Sequence, residues 1–212
     1  MFLELTPEDM HKRLAREFDK IEQGYTHFTN EATSDYGKRR KKLDYDRIYD
    51  LFKDFKNVIP QGSVMALAGD AHYIGSLSNC FVVPSPYDSY GGILHTDQQI
   101  TQLVKRRGGI GFDISTLRPS GTPVKNAAQT STGTTSFMHR FSNTTREVAL
   151  NGRRGALMLT IDCRHPDILE FINIKQDKLK VTGANVSVMW TDDFMAAVNA
   201  DSEYTLRWPV DV

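Results

Sequence analysis

The feature that most constrains the fold of this chain is a regular alternation, beyond residue 57, of short apolar runs with glycine-rich turns and helical stretches. Strands that alternate with helices favour an α/β architecture, because parallel strands need crossover connections of roughly helical length. The apolar runs predict strands, of which the first is expected to be buried, at 80–83, 157–161 and 186–190. The stretches with helical periodicity are 89–107, 134–150, 165–174 and 191–198.

The residues ahead of this alternation are predicted to be helical. Thr6 is a suitable N-cap, proline follows it, and apolar side chains then recur on one face, which together predict a helix over 6–23. A second amphipathic helix is indicated at 48–55. We therefore predict a helical amino-terminal segment, 1–57, followed by an α/β domain, 58–212.

Composition narrows the class of protein. The 26 basic and 26 acidic residues cancel, so no global field favours binding to nucleic acid. Neither a signal peptide nor a membrane-spanning apolar run is visible, so no membrane association is predicted. Two cysteines, Cys80 and Cys163, are too few for a disulfide scaffold and suit a reducing compartment, the cytoplasm. The apolar run at 208–212 suggests that the domain continues beyond this sequence.

Two glycine- and proline-rich segments are candidates for ligand binding. The run 107–113 has only part of a dinucleotide-binding fingerprint, so it predicts a tight turn that serves either close ligand approach or turn geometry alone. The run 115–125 contains two prolines and a glycine and carries Arg118 and Lys125. A stiff loop with two cations suits phosphate binding, although solvation of surface charges explains the same residues.

Three further segments contain residues that are considered for ligand binding or reactivity. The run 151–156 places two adjacent arginines between glycines, which suits a loop that changes shape when a nucleotide binds. Cys80, taken alone, is either a small buried hydrophobic residue or a reactive thiol. Cys163 has no cysteine or histidine at metal-ligand spacing, so it is interpreted as structural and no metal site is predicted. His165 is interpreted as part of a helix start.

Six motifs together carry a resemblance that none carries alone, and it extends from about Pro7 to the last residue. They resemble, in order and spacing, the large subunit of class I or class II ribonucleotide reductases. The resemblance implies a helical amino-terminal segment followed by the first half of a ten-stranded α/β barrel. The motifs are Ser78-Asn-Cys-Phe-Val82, Arg107-Gly-Gly-Ile-Gly111, Leu117-Arg-Pro-Ser-Gly-Thr-Pro123, Ser136-Phe-Met138, Gly152-Arg-Arg-Gly-Ala156 and His165-Pro-Asp-Ile168.

The resemblance implies an activity and a catalytic residue. The family reduces ribonucleotides to 2′-deoxyribonucleotides by thiyl-radical chemistry, and a cysteine pair is oxidised to a disulfide. Cys80 matches the first cysteine of that pair. Ser63 matches a residue that touches the substrate phosphate, although Val64 departs from the proline common in the family. The other residues that match the substrate pocket are Ser78, Asn79, Gly109 and Arg154.

The resemblance also implies a binding site for dNTP or ATP specificity effectors. Asp88 and Ser89 match the start of the helix that binds the effector, with Asp88 directed to the ribose. Arg118 and Lys125 match the first effector loop, where cations meet the triphosphate. The specificity loop, which links effector and substrate, is matched by Asn151, Gly152, Arg153 and Gly155. The helices at 89–107 and 134–150 match the dimer interface, so a homodimer is expected.

Other parts of the family's machinery have no counterpart in this sequence. These are the radical-bearing cysteine, the second redox cysteine, the carboxyl-terminal shuttle cysteines and the ATP-cone. This chain alone is therefore predicted to be inactive, binding no cofactor itself and requiring the carboxyl-terminal part of the large subunit. Class I, with a metal-containing radical-generating small subunit, is favoured over class II, which uses adenosylcobalamin. Thioredoxin or glutaredoxin is the expected reductant. The alternative is a nucleotide-binding, dimerising fragment without activity of its own.

Overall fold

The computed structural model describes residues 4–25, 35, 39–148 and 155–210. The chain forms two compact units, Met1–Asn79 and Cys80–Val212. The first unit therefore contains the predicted helical segment together with residues 58–79.

The first unit is built from helices. Helix α1 (Pro7–Gly24) begins with a capping box, in which the Thr6 hydroxyl accepts from the Asp9 N–H and the Asp9 carboxylate accepts from the Thr6 N–H. Helix α2 (Tyr45–Phe52) is followed by a 3-10 turn (Lys53–Phe55) and by α3 (Gly62–Leu67). Both predicted amphipathic helices are confirmed. Their apolar faces meet in a small core of Leu14, Ala15, Ile48, Phe52 and Ala68.

The second unit is an α/β layer around a four-stranded parallel sheet in the order β1-β2-β3-β4. The elements are β1 (Cys80–Val82), α4 (Tyr90–Val104), β2 (Gly109–Asp113), α5 (Gly133–Glu147), β3 (Leu157–Asp162), α6 (Ile168–Asn173), a 3-10 turn (Ile174–Gln176), β4 (Asn185–Met189) and α7 (Asp192–Asn199). Each strand pairs with the next strand along the chain, and at least one helix lies between them. This confirms the predicted α/β class with an amino-terminal helical segment.

One face of the sheet packs against helices. Alternate strand residues such as Phe112, Leu159 and Ile161 are almost fully buried against Phe141 and Phe171 from the helices. This core explains why the helical and strand periodicities of the sequence were informative, since both patterns reflect the same buried layer.

Two expectations about the sheet are corrected. The first concerns the face opposite the helices, which is open at β1. The strand at Cys80 was expected to be buried, but Cys80 is exposed and the Val82 side chain is 91% exposed. The reason is that β1 has one described neighbour, β2, and the helices cover only the other face. The expected turn at the glycine run is confined to Arg107, with φ of 73°, and Gly108, because Gly109 already begins β2.

Element boundaries shift by a few residues at other places. The helix expected from residue 165 begins at Ile168, since His165 and Asp167 use their side chains in tertiary hydrogen bonds. Within the described part of the chain, no helix combines the length and apolarity needed to cross a membrane.

Candidate functional site

A cavity of about 340 Å³ opens between the start of α4 and the loop that follows β2. We name it the Arg118 cavity. All four residues predicted to bind an effector lie in its wall: Asp88, Ser89, Arg118 and Lys125. The other lining residues are Tyr90, Ile93, Val124, Asn126, Thr130, Ser131, Thr132 and Phe137. The structure thus joins two segments that are about 30 residues apart in sequence.

The first wall of the cavity is the amino terminus of α4. Ser89 is its N-cap, and its hydroxyl accepts the Gly92 N–H at 3.0 Å. A Cβ on Gly92 would lie 2.5 Å from the Tyr87 carbonyl oxygen, so the tight turn into the helix requires glycine there. The first turn of a helix presents N–H groups and a partial positive charge, which favours anions.

An ion pair joins the two walls of the cavity. The Asp88 carboxylate accepts the Arg118 backbone N–H at 3.1 Å and the Arg118 Nε–H at 2.7 Å. This arrangement fixes the guanidinium at the cavity wall and compensates its charge. Lys125 also lines the cavity, and it has no ion-pair partner among the described residues. Unlike the Arg118 charge, its positive charge is therefore not compensated by a carboxylate.

The second wall continues from Arg118 into a short hairpin, residues 119–132, which we name the arm. Its two sides are joined by the Gly121 N–H to Ser131 O bond at 3.0 Å and the Val124 N–H to Gln129 O bond at 2.8 Å. Gly121 has φ of 78°, a conformation that favours glycine. The prolines and glycine of the sequence thus form an ordered arm that carries Lys125 at the cavity.

The cavity also has an aromatic wall that the sequence did not indicate. The rings of Tyr90 and Phe137 meet edge to face with centroids 6.3 Å apart. Phe137 lies in the predicted helix 134–150, but helical periodicity does not show which apolar side chains line a cavity.

The predicted redox cysteine lies beside the predicted substrate-contacting glycine. Cys80 of β1 and Gly109 of β2 are direct partners in the parallel register. Neighbouring strands are about 4.8 Å apart, so the two residues are adjacent on the sheet. Cys80 is exposed on the open face, where its thiol is accessible in this unit.

Three other substrate-site predictions, Ser63, Ser78 and Asn79, fall in the first unit. Ser63 in α3 is fully buried, and its hydroxyl has no hydrogen-bond partner among the described residues. Asn79 donates its amide to Gln61, while its Oδ1 is buried and equally unpartnered in the described structure. Ser78 is exposed, and its N–H donates to the Ser76 hydroxyl at 3.0 Å. Buried polar atoms without partners are uncommon and need a physical explanation.

The predicted specificity loop is only partly described. Asn151, Gly152, Arg153 and Arg154 lie outside the described residues. Gly155 is described, and a Cβ there would lie 2.8 Å from Val104 Cγ1 of α4 and from Thr145 Cγ2 of α5.

Two carboxylates, Asp113 and Asp162, end the neighbouring strands β2 and β3. The Ser115 hydroxyl donates to Asp113 Oδ1 at 2.7 Å and accepts the Asp162 N–H at 2.7 Å, linking the ends of β2 and β3. Burial raises the pKa of Asp113, whereas the hydrogen bonds from Arg164 lower the pKa of Asp162. The pKa values of these two neighbouring carboxylates are thus shifted in opposite directions, which the sequence did not indicate.

The residues interpreted as structural are buried. Cys163 is 2% exposed, and its sulfur lies 3.6 Å from the Thr191 hydroxyl. His165 lies two residues before the N-cap of α6, and its Nε2 lies 2.9 Å from the Leu117 carbonyl oxygen.

Comparison with known proteins identifies the family. The family model for the ribonucleotide reductase barrel domain matches residues 78–212, more than half of the chain. The chain therefore belongs to the ribonucleotide reductase family, and its parallel sheet is part of a barrel of that type.

The individual relatives are ribonucleoside-diphosphate reductases. A vitamin B12-dependent ribonucleoside-diphosphate reductase of Thermoplasma acidophilum is 38% identical over 153 residues, which cover 71% of this chain and 20% of the relative. A protein of the same name from Mycobacterium tuberculosis is 36% identical over 138 residues, or 64% of this chain and 20% of the relative. Ribonucleoside-diphosphate reductase large chain 2 of Saccharomyces cerevisiae is 31% identical over 148 residues, or 67% and 17%. The chain thus spans about a fifth of the length of these curated relatives.

Proposed function

We propose that this chain is the amino-terminal part of a ribonucleoside-diphosphate reductase large subunit and that its Arg118 cavity binds a dNTP or ATP specificity effector. The observation that carries this proposal is the meeting of a helix amino terminus, Arg118 and Lys125 around one cavity. A triphosphate needs these groups, because cations and oriented N–H donors compensate its negative charge.

The cavity also suits the other parts of a nucleotide. Its volume falls at the lower end of the usual range for ligand pockets, roughly 300–1,000 Å³. Tyr90, Phe137 and Ile93 offer an apolar and aromatic surface for a base. Asp88 offers acceptor oxygens for ribose hydroxyls, although Arg118 already occupies part of that acceptor capacity.

A binding titration tests the effector proposal. We expect Lys125→Gln to weaken dNTP binding to the purified chain by about tenfold, since a charge-assisted hydrogen bond is lost. Lys180→Gln removes an exposed lysine that does not line the cavity and is the matched control. Equal affinities for the wild type and Lys125→Gln, measured by calorimetry, would refute the assigned role.

We further propose that Cys80 is one of two thiols that reduce the substrate. In the net reaction, two thiols each give one hydrogen, a disulfide forms, and the ribonucleotide's 2′-hydroxyl leaves as water. The second thiol and the radical-bearing cysteine would come from the remainder of the large subunit. Support comes from the exposure of Cys80 and from its register partner Gly109, which has no side chain to obstruct a substrate.

Reconstitution tests this role. The chain is combined with the carboxyl-terminal part of a relative's large subunit, and deoxynucleotide formation is measured. We expect activity with the wild type and none with Cys80→Ser, while Cys163→Ser keeps it. If Cys80→Ser remained active in a competent assembly, Cys80 would not be a redox residue.

Substrate and effector residues outside the Arg118 cavity complete the proposal. We assign Ser63, Ser78, Asn79, Gly109 and Arg154 to the substrate, and Asn151, Gly152, Arg153 and Gly155 to the loop that links it to the effector. The oxygens of Ser63 and Asn79 have no partner among the described residues, and the assignment requires both to become accessible to the substrate.

The radical source separates two versions of the enzyme. The phrases Asp88-Ser-Tyr-Gly-Gly-Ile93 and Thr144-Thr-Arg-Glu-Val-Ala149 resemble class I chains and favour a metal-containing small subunit. The vitamin B12-dependent relatives, at 36% and 38% identity against 31% for the Saccharomyces cerevisiae chain, instead favour adenosylcobalamin. The same reconstituted assembly, supplied with either source and with thioredoxin or glutaredoxin as reductant, decides between them. A cytoplasmic location is proposed with this function.

A second candidate function is a nucleotide-binding, dimerising module without catalysis of its own. It is favoured by the location of the whole Arg118 cavity within one compact unit. Exposed Tyr90 and Leu94 on α4 would contribute to a homodimer interface with α5. Sedimentation with and without dNTP tests it, and effector-dependent dimerisation without turnover is the expected result.

A further inference from the structure

We infer that Asp167 is a positioning residue for nucleotide binding, because its one buried carboxylate holds both ends of the arm. This inference rests on the proposed binding of a nucleoside triphosphate in the Arg118 cavity. Asp167 is 7% exposed and lies outside the cavity, just ahead of α6.

Asp167 first supplies a cap that α5 lacks. The residue before this helix, Thr132, makes no side-chain capping bond. The Asp167 Oδ2 instead accepts the Thr134 N–H at 2.9 Å and the Thr134 hydroxyl at 3.0 Å. A carboxylate at this place satisfies an otherwise free N–H and complements the partial positive charge of the helix start. The second end of the arm is thereby tied to the 165–167 segment.

The same carboxylate holds the first end of the arm. Its Oδ1 accepts the Ser120 N–H at 3.0 Å. Two residues earlier in the chain, His165 Nδ1 accepts the Asp167 N–H at 3.0 Å, and His165 Nε2 contacts the Leu117 carbonyl oxygen at 2.9 Å. Residues 165–167, which follow β3, therefore form hydrogen bonds with the polypeptide at both ends of the arm.

Gly133 shows how closely the ends are drawn together. A Cβ at this position would lie 2.7 Å from Ser120 Cβ and 2.8 Å from Asp167 Oδ2. The residue also has φ of 79°. The junction thus has no room for a side chain, so a larger residue at position 133 must displace Ser120 or Asp167.

Because the arm forms one wall of the Arg118 cavity, the contacts that hold the arm also determine the shape of the cavity. Val124, Lys125, Asn126 and Thr130–Thr132 line the Arg118 cavity from the arm, while Asp88–Tyr90 line it from α4. A ligand that contacts both walls gains affinity when their separation is set in advance, since less conformational entropy is lost on binding. Asp167 would provide this preorganisation without touching the ligand.

The test compares two variants that disturb the clamp with one that does not. Asp167→Asn replaces one acceptor oxygen by an NH₂ group facing N–H donors, and Gly133→Ala separates the ends sterically. Thr135→Val is the control, because it removes the 2.6 Å bond from Thr135 to Glu170 between the same helices but leaves the arm's bonds intact. Nucleoside triphosphate affinity, hydrogen exchange of residues 120–132 and melting temperature are measured for each.

We expect Asp167→Asn and Gly133→Ala to weaken dATP or dTTP binding by roughly tenfold, equal to about 1.4 kcal/mol. Exchange of the arm amides should accelerate while exchange in β3 remains slow, and Thr135→Val should change neither. Unchanged affinity in Asp167→Asn, or arm exchange and affinity that follow melting temperature equally in all three variants, would overturn the inference. Absence of triphosphate binding by the folded wild type would instead refute the proposed function, and arm exchange would still decide whether Asp167 positions the arm.

Discussion

Gly155 provides a quantitative test of the packing between the two long helices of the second unit. A Cβ at this position would lie 2.8 Å from both Val104 Cγ1 and Thr145 Cγ2, and 2.9 Å from the Thr145 carbonyl oxygen. Real Cβ atoms do not approach so closely, so Gly155→Ala must displace α4 or α5. Overpacking of this kind costs about 1–3 kcal/mol. For a chain of this size, each kcal/mol lowers the melting temperature by roughly 2–4 °C.

The assay for this prediction is urea unfolding followed by tryptophan fluorescence. Both tryptophans, Trp190 and Trp208, belong to the unit that contains Gly155, so their signal reports on it. Gly111→Ala is the matched control, because a Cβ there would have no neighbour closer than 3.7 Å. We expect the control to be neutral or slightly stabilising. Equal unfolding midpoints for the two variants would refute the packing argument.

Three other predictions concern the core, the cavity and pH. Leu159→Ala should lower the free energy of unfolding by about 2–5 kcal/mol in urea titrations, since the side chain is fully buried; a loss below 1 kcal/mol would contradict its place in the core. Arg118→Lys should weaken dNTP binding in calorimetry, because the Nε–H bond to the Asp88 carboxylate that fixes the guanidinium is lost; unchanged binding would refute it. The pKa of Asp162 is lowered in the folded state, so its stabilising contribution is present above the unfolded value of 3.8 and is lost as pH falls through the lower folded pKa. The difference in unfolding midpoint between wild type and Asp162→Asn should therefore shrink from pH 7 to pH 3, and a constant difference would contradict the linkage.

Local patterns in the sequence were sufficient for much of the fold. The capping box at Thr6 and Asp9 satisfies the first N–H groups of α1 through residues three apart, so sequence alone reveals it. The N-cap at Ser89 and the apolar run of β3 are equally local. Each of these signals depends on neighbours in the chain, which is why the elements could be predicted. Their boundaries shifted by a few residues where tertiary hydrogen bonds intervene, as they do for His165 and Asp167 ahead of α6.

Tertiary contacts were beyond local patterns. The bond from Arg118 to Asp88 spans 30 residues, and the bond from Ser120 to Asp167 spans 47. Periodicity likewise predicted the Cys80 strand but not its exposure, since burial depends on which faces other elements cover. The four effector-site residues were named through family resemblance, and their meeting in one cavity required the folded chain.

The most direct test of the central claim is hydrogen exchange of the purified chain with and without dNTP. The account predicts slower exchange at Asp88–Ile93 and in the arm, residues 119–132, with no comparable change in α1. Saturable binding that protects neither segment, or a folded chain that binds no nucleoside triphosphate, would contradict it.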